Sequence, residues 1–395
     1  MRVVAALLLL LALQQDLEKR RDATAEKLES LRGLKFKKPL SIREGTRREY
    51  AAYVLENAKR VYGEDLAAAD KGLKAMGLVS PKLRLELALT MQAGLGVKLW
   101  CANGEILLLD RSADGEWLVN KMDLGLVDQH FQPKIAPTFD AQMAFAALRM
   151  GDAEVAKLLF RHNGKLPAAL AKQAAEEAAT WEKSDSKLAS AVVPRLFVRA
   201  ADFPWRRGGA FALALYGSGG QAALDKAFAD PPVSTEQVIH PEKYIKGGKP
   251  ATIDLASAEA FLKDKGYAPG YHTVLGELGV ALVLETHLSR EDTSAASEGW
   301  AGDTFAVFEK EGVAPLVVWA TEWDTEKDAT EFQAEALKVA LKLMPAEPNI
   351  MAPVLKKKTS VAFALNVPKE MQDGLLDSVW KSKRTRDKTV DLYGE

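Results

Sequence analysis

An α+β fold, mainly helical, is what this chain predicts, on three observations. From Leu17 to Phe228, Leu and Ala recur at three- to four-residue spacing over long stretches, the period of an amphipathic helix. The period switches toward alternation at Lys98 to Asp110 and again at Thr304 to Trp323, as strands require. The composition, 48% hydrophobic and 27% charged over 395 residues, supplies one large core or two moderate ones and excludes a disordered chain.

In chain order, Met1-Arg2 and the apolar run Val3 to Leu13 have the charge and length of a signal peptide. A spanning helix needs about 20 apolar residues, so residues 1–15 read as a leader and the mature chain as lacking a transmembrane segment. That places the protein in the periplasm or outside the cell. Leu17 to Leu31 reads as a charged amphipathic helix, and Glu49 to Met76 and Lys82 to Gln92 as further helices. Asn103-Gly104 favours a tight turn between two short strands. Helices are predicted over Gly115 to Phe131, Phe139 to His162, Pro167 to Lys183 and Leu188 to Phe228, the last interrupted near Pro204.

Pro231-Pro232 marks a change of character, dividing a helical part (16–230, with the small β-hairpin) from a mixed α+β part (231–395). The second part either stands alone or packs into one unit with the first. It reads as helices at Ser257 to Lys265 and Thr273 to Leu288, then paired strands Thr304 to Glu309 and Ala314 to Trp323. A helix Glu326 to Leu343, a strand Ser360 to Val367 and a helix Lys369 to Lys381 follow. A formal net charge of -1 gives no global attraction to nucleic acid or anionic membrane. One cysteine, Cys101, rules out an internal disulfide.

The richest chemical signal is Asn120-Lys121-Met122-Asp123-Leu124-Gly125-Leu126-Val127-Asp128-Gln129-His130-Phe131. It resembles the zinc helix of an exported bacterial gluzincin-like metallopeptidase family, approximately H-E-L-x-H-A-L-Q-D-Q-H-F. In such a helix two histidines four residues apart bind Zn²⁺ from one face and the Glu between them is the general base. The resemblance places the first ligand at Asn120, the base at Lys121 and the second ligand at Leu124. The third ligand, a Glu in a family segment like A-L-x-E-G-D-A, falls on Met150 within Ala146-Ala147-Leu148-Arg149-Met150-Gly151-Asp152-Ala153. An amide, a cation, an alkyl group and a thioether replace two imidazoles and two carboxylates.

Other segments carry the same resemblance. They are Leu31 to Leu40 with Thr46 to Glu49, Pro231 to Tyr244, Gly299-Trp300-Ala301-Gly302-Asp303 and Trp323-Asp324-Thr325. Gly96 to Cys101 lacks the Tyr and Asp of the family's G-Y-Y-D-like step. The resemblance implies a zincin-like scaffold and a pseudopeptidase, without cofactor or metal. Its partner would be an extended peptide held by strand addition, another protein ligand or an active homologue. Two alternatives stay open: an active metallohydrolase with relocated ligands, His130 with Asp123, Asp128 or Asp152, and a structural envelope protein whose cleft is filled by Met150 and Leu124.

Remaining motifs have plainer readings. Asp110 to Gly115 resembles half of an EF-hand loop, but Lys121 stands where the bidentate Glu belongs, so an Asp/Gly turn is expected. Gly217-Ser218-Gly219 is not a nucleophile elbow, and Gly247-Gly248-Lys249-Pro250 lacks phosphate-loop spacing. His240 reads as a turn hydrogen-bonding residue. Lys356-Lys357-Lys358 and Lys381 to Lys388 read as solvated surface.

Overall fold

A computed structural model describes residues 2–93, 97–113, 115–183 and 193–385. Helix α1 (Arg2–Arg32) runs unbroken from the apolar N-terminal stretch into its charged continuation. Gln14 Nε2 donates to the Ile42 carbonyl at 2.7 Å and Arg21 to that of Leu40, tying α1 to strand β1 (Ser41–Glu44). Helix α2 (Arg47–Tyr62) opens with a capping box between Thr46 and Glu49. The single helix predicted from Glu49 to Met76 is two. Gly63 turns the chain at φ +85°, and Asp65 caps α3 (Leu66–Ala75) by accepting from Ala67 and Ala68. Helix α4 (Leu85–Ala93) follows.

Strands β2 (Leu99–Ala102) and β3 (Glu105–Leu108) form the expected hairpin, with Asn103 and Gly104 both at positive φ. β1 joins β3 in parallel, a pairing hidden by the shortness of Ser41–Glu44. Next come α5 (Gly115–His130), α6 (Phe139–Arg161), α7 (Leu170–Lys183) and α8 (Arg195–Ala229). Residues 188–192 of the helix predicted from Leu188 lie outside the described residues. α8 continues through Pro204 and breaks instead at Gly219 and Gly220, whose φ values of -163° and +63° interrupt the helical ladder. α6 and α8 cross at glycines: a Cβ on Gly151 would sit 1.9 Å from the Gly208 carbonyl oxygen.

Beyond Pro232 lie α9 (Thr235–Ile239), α10 (Pro241–Ile245), β4 (Thr252–Asp254), α11 (Ala256–Asp264), β5 (Ala268–Thr273) and α12 (Gly276–His287). They are followed by α13 (Arg290–Ser297), β6 (Trp300–Glu309), β7 (Leu316–Trp323) and α14 (Glu326–Leu343). Last are β8 (Ile350–Met351), β9 (Val354–Lys357), β10 (Ser360–Leu365), β11 (Val367–Pro368), α15 (Gln372–Trp380) and β12 (Lys383–Thr385). An antiparallel sheet in the order β5-β6-β7-β10-β9 organises this part. β5 escapes sequence reading because Pro269 and Gly270 accompany a register shift between Pro269 and His272.

Strand alternation divides the core. Phe305, Val307, Val317, Trp319, Val361 and Phe363 join a cluster that includes Phe332 of α14 and reaches Phe139, Phe197 and Phe228 of the helical part. Ala306, Phe308, Val318 and Ala362 pack on Leu262 of α11 and Leu375 of α15. Both sheet faces are thereby covered, and the first cluster unites the two parts of the chain. Among the described residues no helix is long and apolar enough to cross a membrane.

Candidate functional site

α5 carries the positions that the resemblance singles out, and they point inward. Asn120, Lys121 and Leu124 are 1%, 2% and 2% exposed, while Met150 on α6 is half-buried. Lys121 has no carboxylate within ion-pair distance among the described residues. Its Nζ lies 4.4 Å from the ring centre of Trp205 on α8 and 6.0 Å from that of Trp117. Burial pushes its ammonium down to about 7. Both amide atoms of Asn120 are buried without a hydrogen-bond partner. α8 therefore supplies an indole cover at the base position.

Below this layer Arg32, fully buried, gathers acidic groups from three helices. It lies 2.6 Å from Asp152, 3.3 Å from Asp123 and 3.7 Å from Asp225, the first two also fully buried. Burial raises the carboxyls of Asp123 and Asp152 against the opposing pull of Arg32.

The tail of the motif is a clasp. Gln129 Oε1 accepts from the backbone of Lys37 and Lys38, its Nε2 donates to the Lys38 carbonyl at 2.9 Å, and His130 Nε2 meets the Lys35 carbonyl at 2.8 Å. Phe131 stacks on Phe228 with centroids 5.3 Å apart, and Asp128 pairs with Arg149. Two segments that carry the resemblance, Leu31 to Leu40 and Asp128 to Phe131, are thus in direct contact.

The relocated set of His130 with Asp123, Asp128 or Asp152 is not brought together. His130 faces a backbone carbonyl, Asp128 faces Arg149, and Asp123 and Asp152 face Arg32. Among the described residues no group of three His, Cys, Asp or Glu side chains is arranged to hold a metal ion. The Asp110 segment is a turn, with Asp110 Oδ1 accepting from Ser112 N at 2.8 Å; Asp114 lies outside the described residues. Cys101 is buried in β2, where desolvation pushes its thiol up to about 12. Gly96 also lies outside the described residues.

A second polar centre, which sequence reading did not assemble, joins the Pro231 to Tyr244 segment to the C-terminal sheet. Asp140 Oδ1 accepts from Thr235 N and Oγ1, both at 2.6 Å, and Thr235 Oγ1 accepts from Leu278 N. Asp303 receives the indole N–H of Trp300 and Trp319 and the backbone N–H of Leu275 and Gly276, at 2.9–3.1 Å. It sits at the N-terminus of α12, and burial still raises it to about 6 against those four donors. Lys243 bridges Glu236 and Asp324. His240 Nε2 lies 3.1 Å from Glu277.

Much of this centre falls in one matched segment. Residues 266–367 match a domain of unknown function, DUF8575. No curated protein and no solved structure matches the chain. The matched segment runs from β5 to the first residue of β11, so it takes in the sheet, Glu277, Asp303 and Asp324 but not the zinc-like helix. Within it, Gly302 lets β6 pass the Ala251 carbonyl, which a Cβ would meet at 2.3 Å. Trp323 and Thr325 close the strand and cap α14, Thr325 forming a capping box with Asp328. The Gly-Trp-x-Gly-Asp signal could have located Asp303 as a buried acceptor, but nothing in the sequence tied it to α12.

Proposed function

We propose that this chain is a catalytically inactive, metallopeptidase-like protein of the cell envelope that acts by binding a peptide or protein. The observation that carries the reading is Lys121, buried at the general-base position beneath Trp205. The zinc mechanism uses a carboxylate there to orient and deprotonate a metal-bound water, and an amine packed against an indole lacks that bidentate acceptor. Asn120 and Leu124, at the ligand positions, are packed as core residues. Zincin ancestry rests on the sequence resemblance at Asn120 to Phe131, Met150 and the flanking motifs.

This packing favours a binding surface away from the former cleft. The polar residues that the family motifs share serve as struts in this reading. Gln129 and His130 strap the Lys35 to Lys38 segment, and Asp303 caps α12. The test is turnover: purified protein incubated with zinc, unfolded casein and fluorogenic peptides leaves them intact to the level of a chelated control. Chelator-sensitive cleavage would refute the proposal.

A further inference from the structure

Two basic runs more than twenty residues apart in sequence meet around one indole. Lys357 Nζ lies 4.8 Å from the ring centre of Trp380, and the Arg384 guanidinium lies 5.7 Å from the same ring. The exposed Lys357, Lys358 and Lys381 make no ion pair among the described residues. Two carboxylates oppose the cluster: Glu326 at 4.0 Å from Lys356 and Glu322 at 3.5 Å from Arg384. Glu322 also accepts the hydroxyls of Thr359 and Ser360, and Lys383 stands opposite Asp254 across the β4–β12 pair. Arg384 Nε and Nη2 are buried without a hydrogen-bond partner, so this guanidinium contributes charge rather than an exposed donor. The excess of positive charge lies at β9, the last strand of the sheet.

The edge itself has open main-chain groups. Lys357 and Ser360 flank the two-residue turn between β9 and β10, so they form a hydrogen-bonded pair, and alternate residues Lys356 and Val354 turn their N–H and C=O outward. At buried Val354 the outward carbonyl accepts from Gln333 Nε2 of α14 at 3.5 Å, which leaves Lys356 as the open main-chain position of the edge. Lys356 reaches toward Glu326 of α14 on one face and Lys357 toward Trp380 of α15 on the other. Exposed Leu355, 45% accessible, precedes them in the strand and shares the face of Lys357.

We propose that the β9 edge, with Lys356 on its α14 face, Lys357 and Arg384 beside Trp380 and the exposed Lys358 and Lys381 next to them in the chain, binds an extended acidic segment of a partner protein. This rests on the noncatalytic reading above and names its surface and partner chemistry. Lysines on both faces of an edge repel a second copy of the same strand, the usual defence against self-association. The same arrangement complements a strand carrying Asp or Glu on both sides. A bilayer would need the charges in one plane, whereas these straddle an edge.

The test is fluorescence anisotropy of a labelled ten-residue peptide alternating Glu and Val, with a Gln-for-Glu peptide as control. The double variant Lys357→Glu/Lys381→Glu should weaken binding about tenfold, with binding also falling as salt rises. Lys357→Arg should retain it. Equal binding of both peptides, or no loss in the charge-reversed variant, overturns the proposal. So does a preference for anionic lipid vesicles or a salt-independent dimer. Mass spectrometry of the recovered peptide separates the two readings: a cleaved peptide defeats the noncatalytic one, and an intact, unbound peptide defeats this one alone.

Discussion

The fold shifts the protonation of Lys121 and His240 in opposite directions. Lys121 is depressed from its ordinary value to about 7 by burial. Between pH 7 and about 10.5 the unfolded chain holds a proton that the folded chain lacks, so stability rises with pH across that window and the burden is full below it. Lys121→Met should therefore stabilise the protein by on the order of 2 kcal/mol at pH 6, a gain that shrinks toward pH 10 in thermal melts. His240 behaves oppositely. Burial alone would lower it, but the Glu277 carboxylate outweighs burial and raises it to about 9. Its stabilisation is complete below pH 6.5 and lost as pH rises through 9, so His240→Gln should cost about 1–3 kcal/mol at pH 6 and little at pH 10. The chemical identities of Asn120, Lys121, Leu124 and Met150 were legible in the sequence. Their surroundings were not, because Trp205 lies 84 positions from Lys121 in the chain and no local pattern brings it over the amine.

Elements with strong local signals were the legible ones. Asn103-Gly104 fixed its hairpin, and the alternation at Thr304 to Trp323 marked β6 and β7, although β6 begins four residues earlier at Trp300. Elements defined by partners were not. β1 exists because β3 pairs with it, and β5 because β6 does. Pro204 was given too much weight: the helix tolerates it and yields at Gly219-Gly220 instead. The α6–α8 crossing is the contact most sensitive to a single atom, since a Cβ at Gly151 meets backbone that no rotamer change can move. Gly151→Ala should cost about 2–4 kcal/mol and displace α8 from α6, read by chemical denaturation and by the fluorescence of Trp205.

For the molecule as a whole, the α+β class was readable, whereas the single core that joins the residues before and after Pro231 was visible only in three dimensions. Phe332 and Trp319 share a cluster with Phe139 and Phe228, which predicts a single unfolding transition for the two parts. The decisive measurement concerns zinc binding at Asn120, Leu124 and Met150. Purified protein is exposed to excess zinc, freed of loosely held ions and its metal content determined. Far less than one zinc retained per chain is expected, because Asn120, Leu124 and Met150 do not form a zinc-binding donor set. Retention of about one zinc per chain would contradict it.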